Sequence, residues 1–243
     1  MNWSIVKEVL VKDLQELSKN RYVFYSMLFL PAVLVLITGF DAFTSIGRPG
    51  IRGSDVILVI SVTAQSFVLV PAIVSVLIGS TSVVIEKNNR SLEPLLATPI
   101  TDSELLVGKS LAPFIPALLL GLAAYAAVIG LVDAITYPAF GYFLLPSRLM
   151  LYQMFALTPL VALFGTFVAL FVSSKMKDVR AAQQISMFAV LPLFLVLIAG
   201  AVALSSSYLL IIGITMALIA GILAFAWLAI KTFNRESILV TWK

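Results

Sequence analysis

Five long stretches of this sequence contain no charged residue, and they constrain the fold more than any other feature. A transmembrane helix needs roughly 20 consecutive, mostly apolar residues, and each stretch is about that long or longer. The last of them, residues 181–230, would form a rod of about 75 Å at about 1.5 Å per residue. A bilayer core of about 30 Å does not need that length, so we expect a helical hairpin that turns near residues 205–207. The six predicted spans are residues 22–40, 56–85, 110–132, 149–174, 181–204 and 208–230.

Composition supports a single transmembrane domain over residues 1–243, all-α in fold class. Hydrophobic residues make up 61% of the chain and charged residues 12%, whereas soluble domains are about half apolar and about a quarter charged. The chain has no cysteine and no histidine, which excludes disulfides, thiol nucleophiles and the commonest general base and metal ligand. We therefore expect no catalytic residue and no metal site in this chain.

The basic residues predict the orientation in the membrane. An even number of spans places both termini on one side, and Lys and Arg concentrate in cytoplasmic segments. The termini and the second-to-third and fourth-to-fifth connections carry most of the 16 basic residues, and the other side carries only Arg48, Arg52 and Arg148. This distribution predicts cytoplasmic termini. It also explains the net charge of +4 without nucleic-acid binding.

Residues 4–19 are predicted to form an amphipathic helix. Apolar side chains recur at helical spacing, and charged residues fall elsewhere around the helix. A helix of this kind directly before a span is expected to lie along the inner membrane surface. The apolar stripe consists of Val6, Leu10, Leu14 and Leu17.

The predicted spans contain no Asp, Glu, Lys, Arg or His, which counts against a proton-coupled pump or a voltage-gated channel. Two glutamines, Gln65 and Gln153, are their most notable polar residues, since an amide in hydrocarbon needs a partner. Such residues commonly join helices by hydrogen bonds. Lining a substrate path is the alternative, and the sequence leaves both open.

The connection formed by residues 86–109, EKNNRSLEPLLATPITDSELLVGK, has an apolar centre between charged flanks. Thr98-Pro99 should end a short helix, because a proline disfavours helix at the preceding residue. Thr101 or Asp102 can cap a second helix. Leucines projecting from a membrane on a short helix suit a groove in another protein, with contact to the membrane surface as the alternative.

This connection resembles the intracellular loop of permeases of the type-2 ATP-binding-cassette (ABC) exporter family. Lys12-Asp13-Leu14 and Arg21 are similar to the amphipathic opening of those permeases, and residues 233–236 are similar to their end. Pro94 departs from the pattern by interrupting the Leu-Glu-x-Leu-Leu run. The matching loop residues are Glu86, Lys87, Leu92, Glu93, Leu95, Leu96, Thr98, Pro99, Gly108 and Lys109.

The resemblance implies a permease subunit in the plasma membrane that pairs as a homodimer, or as a heterodimer with a related permease. It implies two separate ABC ATPase subunits that hold ATP and Mg, with residues 93–99 as the coupling helix in a groove of the ATPase. Gly108-Lys109-Ser110 is no phosphate loop, because Ser103 stands where that motif needs glycine. The chain is therefore expected to be no enzyme.

An exporter of an amphipathic or hydrophobic substrate is the function that the resemblance implies. The alternative is a self-sufficient facilitator or channel for apolar solutes, which would need no partner. An intramembrane enzyme is disfavoured, because the spans offer few groups for acid–base or nucleophilic chemistry.

Overall fold

The computed structural model describes residues 3–19, 21–47, 50, 52–88, 101–203 and 208–232, without the side chains of residues 5, 22, 102, 103, 193–203, 208–211 and 232. Within these ranges the chain forms seven helices and no strand. The described part therefore confirms the all-helical fold class. The helices are α1 (Trp3–Lys19), α2 (Arg21–Ile46), α3 (Gly53–Asn88), α4 (Asp102–Phe140), α5 (Arg148–Lys175), α6 (Val179–Ala203) and α7 (Tyr208–Thr232).

Five of the described helices are long and apolar enough to cross a membrane. They correspond to five of the six predicted spans. Helix α6 covers residues 181–203 of the predicted fifth span, 181–204, but the six-span plan and the cytoplasmic side of both termini stay predictions. The predicted turn at residues 205–207 lies outside the described residues. The five candidate spans are Val23–Ile46, Gly53–Asn88, Glu104–Phe140, Arg148–Lys175 and Ile212–Lys231.

Helices α2 to α5 are longer than the uncharged stretches that predicted them. Helix α2 continues through Asp41 to Ile46, and α4 extends well beyond the predicted 110–132 at both ends. Thr101 begins α4 with a reciprocal cap: the Thr101 N–H donates to Glu104 Oε2 at 3.0 Å, and the Glu104 N–H donates to Thr101 Oγ1 at 3.3 Å. This confirms the predicted cap. Gly141 ends the helix with a φ of 75°, a left-handed conformation that favours glycine.

Helices α3 and α5 form the centre of the bundle. Of the 18 consecutive residues that are most apolar in each helix, 78% are buried in α3 but only 17% in α7. Small residues allow the two central helices to approach closely, as is typical of helix pairs in membranes. A Cβ on Gly79 would lie 2.9 Å from the Cβ of Ala169, and one on Gly165 would lie 2.9 Å from the Ala72 carbonyl oxygen.

This packing predicts that Gly165→Val destabilises the bundle, while Gly130→Val does not. Valine at 165 would overlap the backbone of α3, and overpacking of this kind lowers the free energy of unfolding by about 1–3 kcal/mol. Gly130 is also helical, but a Cβ there meets no atom within 4 Å, so it is the matched control. Unfolding of both variants in mixed detergent micelles, followed by circular dichroism, measures the difference. Equal stability of the two variants would contradict the close contact of α3 and α5.

Candidate functional site

Helix α1 crosses the first turns of α4 at Gly108. A Cβ on Gly108 would lie 2.9 Å from Val9 Cγ1 and 3.5 Å from the Val6 carbonyl oxygen, so a larger residue would push the helices apart. The buried residues of α1 include Val6, Val9 and Asp13. Of the predicted apolar stripe, Val6 is buried in the bundle, and Leu10, Leu14 and Leu17 are half-buried. The position of α1 along the inner membrane surface stays a prediction.

A buried cluster of charged side chains joins α1, α3 and α4 beside this crossing. Lys109 of α4 is 1% exposed, Asp13 of α1 is 2% exposed and Glu86 of α3 is 3% exposed. The Lys109 ammonium lies 2.5 Å from Glu86 Oε2 and 3.2 Å from Asp13 Oδ2. The Ser82 hydroxyl donates to Asp13 Oδ2 at 3.0 Å and accepts from Lys109 at 3.2 Å. One ammonium group thus holds two carboxylates from two other helices.

Lys12 extends the cluster to its rim. Its ammonium donates to Glu86 Oε1 at 2.8 Å and lies 3.8 Å from Glu16 Oε1. Burial acts to lower the pKa of Lys12, but the hydrogen bond to Glu86 and the charge of Glu86 outweigh it and leave the pKa above its usual value. The stabilisation from this contact is full below the ordinary lysine pKa and is lost only as the pH rises through the raised value. The contact is therefore intact at neutral pH.

The alternation of charges explains how so many ionisable groups can be buried together. Removing an ammonium or carboxylate group from water costs several kcal/mol unless a partner and hydrogen bonds compensate for it. One carboxylate oxygen from each of Asp13, Glu16 and Glu86 lies within 4.8 Å of the other two, close enough to share a cation. The ammonium groups of Lys12 and Lys109 already lie among them. The arrangement is an ion-pair network that fixes the position of α1 on α3 and α4.

The structure brings together four of the predicted site residues: Lys12, Asp13, Glu86 and Lys109. It places Gly108 at the helix crossing next to them. Arg21 is exposed at the first residue of α2. Lys87 is buried, and its ammonium contacts the end of α5. The roles predicted for Leu92, Glu93, Leu95, Leu96, Thr98 and Pro99 stay predictions, because residues 89–100 lie outside the described residues.

Gln65 and Gln153 lie deep in the bundle and are hydrogen-bonded to each other, with the Gln153 amide donating to Gln65 Oε1. Each lies where its helix departs from α-helical geometry, Gln65 in a 3₁₀ turn and Gln153 in a π turn. Two hydroxyls satisfy carbonyls at these turns: Tyr125 donates to Ala64 at 3.3 Å, and Thr158 donates to Gln153 at 3.0 Å. These contacts support the role of joining helices. A role in a substrate path stays a prediction.

Sequence reasoning missed Asp133, which holds the connection between α4 and α5. Its Oδ1 accepts the backbone N–H groups of Leu144 at 3.1 Å and Leu145 at 3.0 Å. Leu144 and Leu145 are both buried, so the connection folds back onto the bundle. The only sequence signal was an acidic residue at the edge of an uncharged stretch, where its partners could not be identified.

The chain matches the profile of a known protein family. The profile of a family described as "ABC-2 family transporter protein" matches residues 14–179, about two thirds of the chain. The matched region includes α2 to α5 and the cluster residues Glu86 and Lys109. No curated protein matches the chain significantly.

The ion-pair network predicts that Lys109→Met destabilises the protein strongly. Methionine would leave Asp13 and Glu86 buried without their shared cation, and breaking a buried pair in this way costs about 3–5 kcal/mol. Lys7→Met is the matched control, since Lys7 lies on the exposed face of α1 and its loss should leave stability unchanged. Thermal unfolding of the detergent-solubilised variants measures both. A Lys109→Met variant as stable as the Lys7→Met variant would show that the buried charges do not hold the helices together.

Proposed function

The chain belongs to the ABC-2 family of transporter membrane proteins, and from this premise we propose that it is the permease subunit of an ATP-driven transporter. A separate ABC ATPase subunit, with its own ATP and Mg, supplies the energy. The permease forms a dimer in the plasma membrane, as a homodimer or with a related permease. Two ATPase subunits bind its cytoplasmic side.

The observation that carries this proposal is the position of the ion-pair network. Glu86 lies near the end of α3, just before residues 89–100, and Lys109 lies in the second turn of α4, just after them. The two side chains form an ion pair with each other. Lys109 also binds Asp13 of α1, and Glu86 also binds Lys12 of α1. A displacement of residues 89–100 would therefore act on α1, α3 and α4 together. This is what a transporter needs if its ATPase moves the coupling helix formed by residues 93–99.

Export of an amphipathic or hydrophobic substrate is the direction and the class that we propose. The support is the chemistry of the described spans between their ends. The buried charged residues Glu86, Lys87, Glu104, Lys109 and Asp133 lie toward the helix ends, and the other buried side chains are apolar apart from hydroxyls and the Gln65–Gln153 pair. Helix surfaces of this kind offer a substrate dispersion contacts and a few hydrogen bonds, and they suit a substrate with little charge. The Gln65–Gln153 pair is the first place to test for substrate contact.

The test of the proposed function is purification of the tagged chain from its native membrane in mild detergent. An ABC ATPase subunit should co-purify, and the complex should hydrolyse ATP. Transport by the chain alone, in liposomes without nucleotide, would instead favour a self-sufficient facilitator.

The coupling helix provides a sharper prediction. Leu95→Glu with Leu96→Glu should reduce co-purification of the ATPase by about tenfold or more, because central apolar anchors of an interface typically contribute about 2 kcal/mol or more each. Leu95→Met with Leu96→Met keeps the apolar surface and is the matched control. The two double variants are compared by the ratio of ATPase to permease in the purified complex. If the glutamate variant retained its ATPase and its ATP hydrolysis, residues 95 and 96 would not form the docking surface.

A further inference from the structure

Lys87 is buried on a different face of α3 from its neighbour Glu86. Its ammonium donates to the Ser174 carbonyl at 2.6 Å, at the end of α5, and to the Met176 carbonyl at 3.2 Å, just after it. The next residue continues this contact, since the Asn88 side-chain amide donates to the Lys177 carbonyl at 3.2 Å. The last two residues of α3 therefore bind one backbone carbonyl at the end of α5 and two in the α5–α6 connection.

These contacts provide hydrogen-bond donors for the last backbone carbonyls of α5. The last carbonyls of a helix have no partner within the helix, and their negative partial charge favours a nearby cation. Helix α5 ends at Lys175 without a glycine cap, and Met176 is extended with a φ of −96° and a ψ of 153°. Lys87 provides both the hydrogen bonds and the positive charge from another helix. Its position is therefore specific to this junction.

The connection is also tightly held on its α6 side. Asp178 Oδ2 accepts the Ala181 N–H at 3.0 Å, and the Asp178 carbonyl accepts the Ala182 N–H at 3.0 Å, so Asp178 caps α6. Only three residues, 176–178, separate α5 from α6. A displacement of this short connection must move the ends of both helices.

Helices α3 and α5 are joined along their length as well. The Gly79–Ala169 and Gly165–Ala72 approaches lie along the pair, and the Gln65–Gln153 hydrogen bond lies beyond them, farther from the α1 end. The two helices therefore resist sliding past each other. Lys87 fastens this pair at the end that leads directly into residues 89–100.

We propose that Lys87 is a positioning residue that fastens the α5–α6 connection to the end of α3, which directly precedes residues 89–100. Movement of residues 89–100 then reaches the other helices by two routes. Glu86 transmits it to α1 and α4, and Lys87 transmits it to α5 and α6. The inference rests on the proposed function, because it concerns how motion delivered by an ATPase reaches the remaining helices.

The first test uses Asn88→Cys with Lys177→Cys in the complex purified with its ATPase subunit. The chain contains no cysteine, so these are the only thiols of the permease. Both positions are exposed, and they adjoin across the junction. Because the two elements are proposed to move together, bridging the thiols with a short bifunctional reagent should change ATP hydrolysis in proteoliposomes less than about twofold. Loss of activity on bridging, restored when a cleavable bridge is reduced, would mean that the elements move relative to each other and would overturn the proposal.

The second test replaces the lysine. Lys87→Met should reduce ATP hydrolysis by the complex about fivefold or more, the low end of energetic coupling between protein sites. Lys87→Arg keeps a cationic donor and should restore most of the activity. Bridging residues 88 and 177 in the Lys87→Met background should also restore it, a result that a merely structural role would not produce. If bridging did not restore activity, fastening would not be the role of Lys87.

The outcomes also separate this inference from the proposed function. If no ATPase co-purifies with the unaltered chain, the proposed function fails. If the complex forms and Lys87→Met hydrolyses ATP like the unaltered complex, only the inference about Lys87 fails. Should Lys87→Met not accumulate in the membrane, bridging with Lys87 in place still decides between joint and relative movement.

Discussion

The burial of one ammonium group between two carboxylates is the interaction on which the rest of this structure depends. Lys109 can leave water only because Asp13 and Glu86 share its charge, and these residues belong to three different helices. Gly108 makes the contact possible, since a larger residue would keep α1 from approaching α4. The close packing at Gly108 and the ion pairs of Lys109 therefore both require α1 to cross α4 at this point. A change in either would release α1 from the bundle.

The positions of the helices could be predicted from sequence, but not their ends. Uncharged stretches mark where side chains avoid water, and that is enough to place a membrane helix. Helical hydrogen bonding does not stop at a charged residue, so α2 continues through Asp41 and α4 through Asp133. The actual ends depend on local capping. Thr101 with Glu104 was a readable cap, whereas Gly141 required knowledge of its left-handed backbone.

The site was predicted as separate motifs that sequence alone could not assemble. Family resemblance selected Asp13, Glu86 and Lys109, but the apolar stripe of α1 placed Asp13 only elsewhere around the helix, with no partner. A hydrophobic pattern assumes that charges face water, and it fails where a charge finds a buried partner on another helix. The need of Gln65 for a partner was predictable as well. Its partner, Gln153, is 88 residues away, and only the packing of α3 against α5 brings them together.

The central helix pair, α3 and α5, is regular near α1 and irregular farther along. This arrangement suits the proposed transmission of movement from residues 89–100. Near α1, Glu86 and Lys87 bind neighbours on two sides of α3, so this end is held firmly. Farther along, α3 and α5 interrupt their α-helical hydrogen bonding at Gln65–Val68 and Gln153–Leu157. A helix bends most readily where that bonding is interrupted. Because the interruptions face each other and the Gln65–Gln153 bond joins them, the pair can bend there as a unit. Bending at this level would redirect the far halves of both helices while the contacts near α1 stay intact.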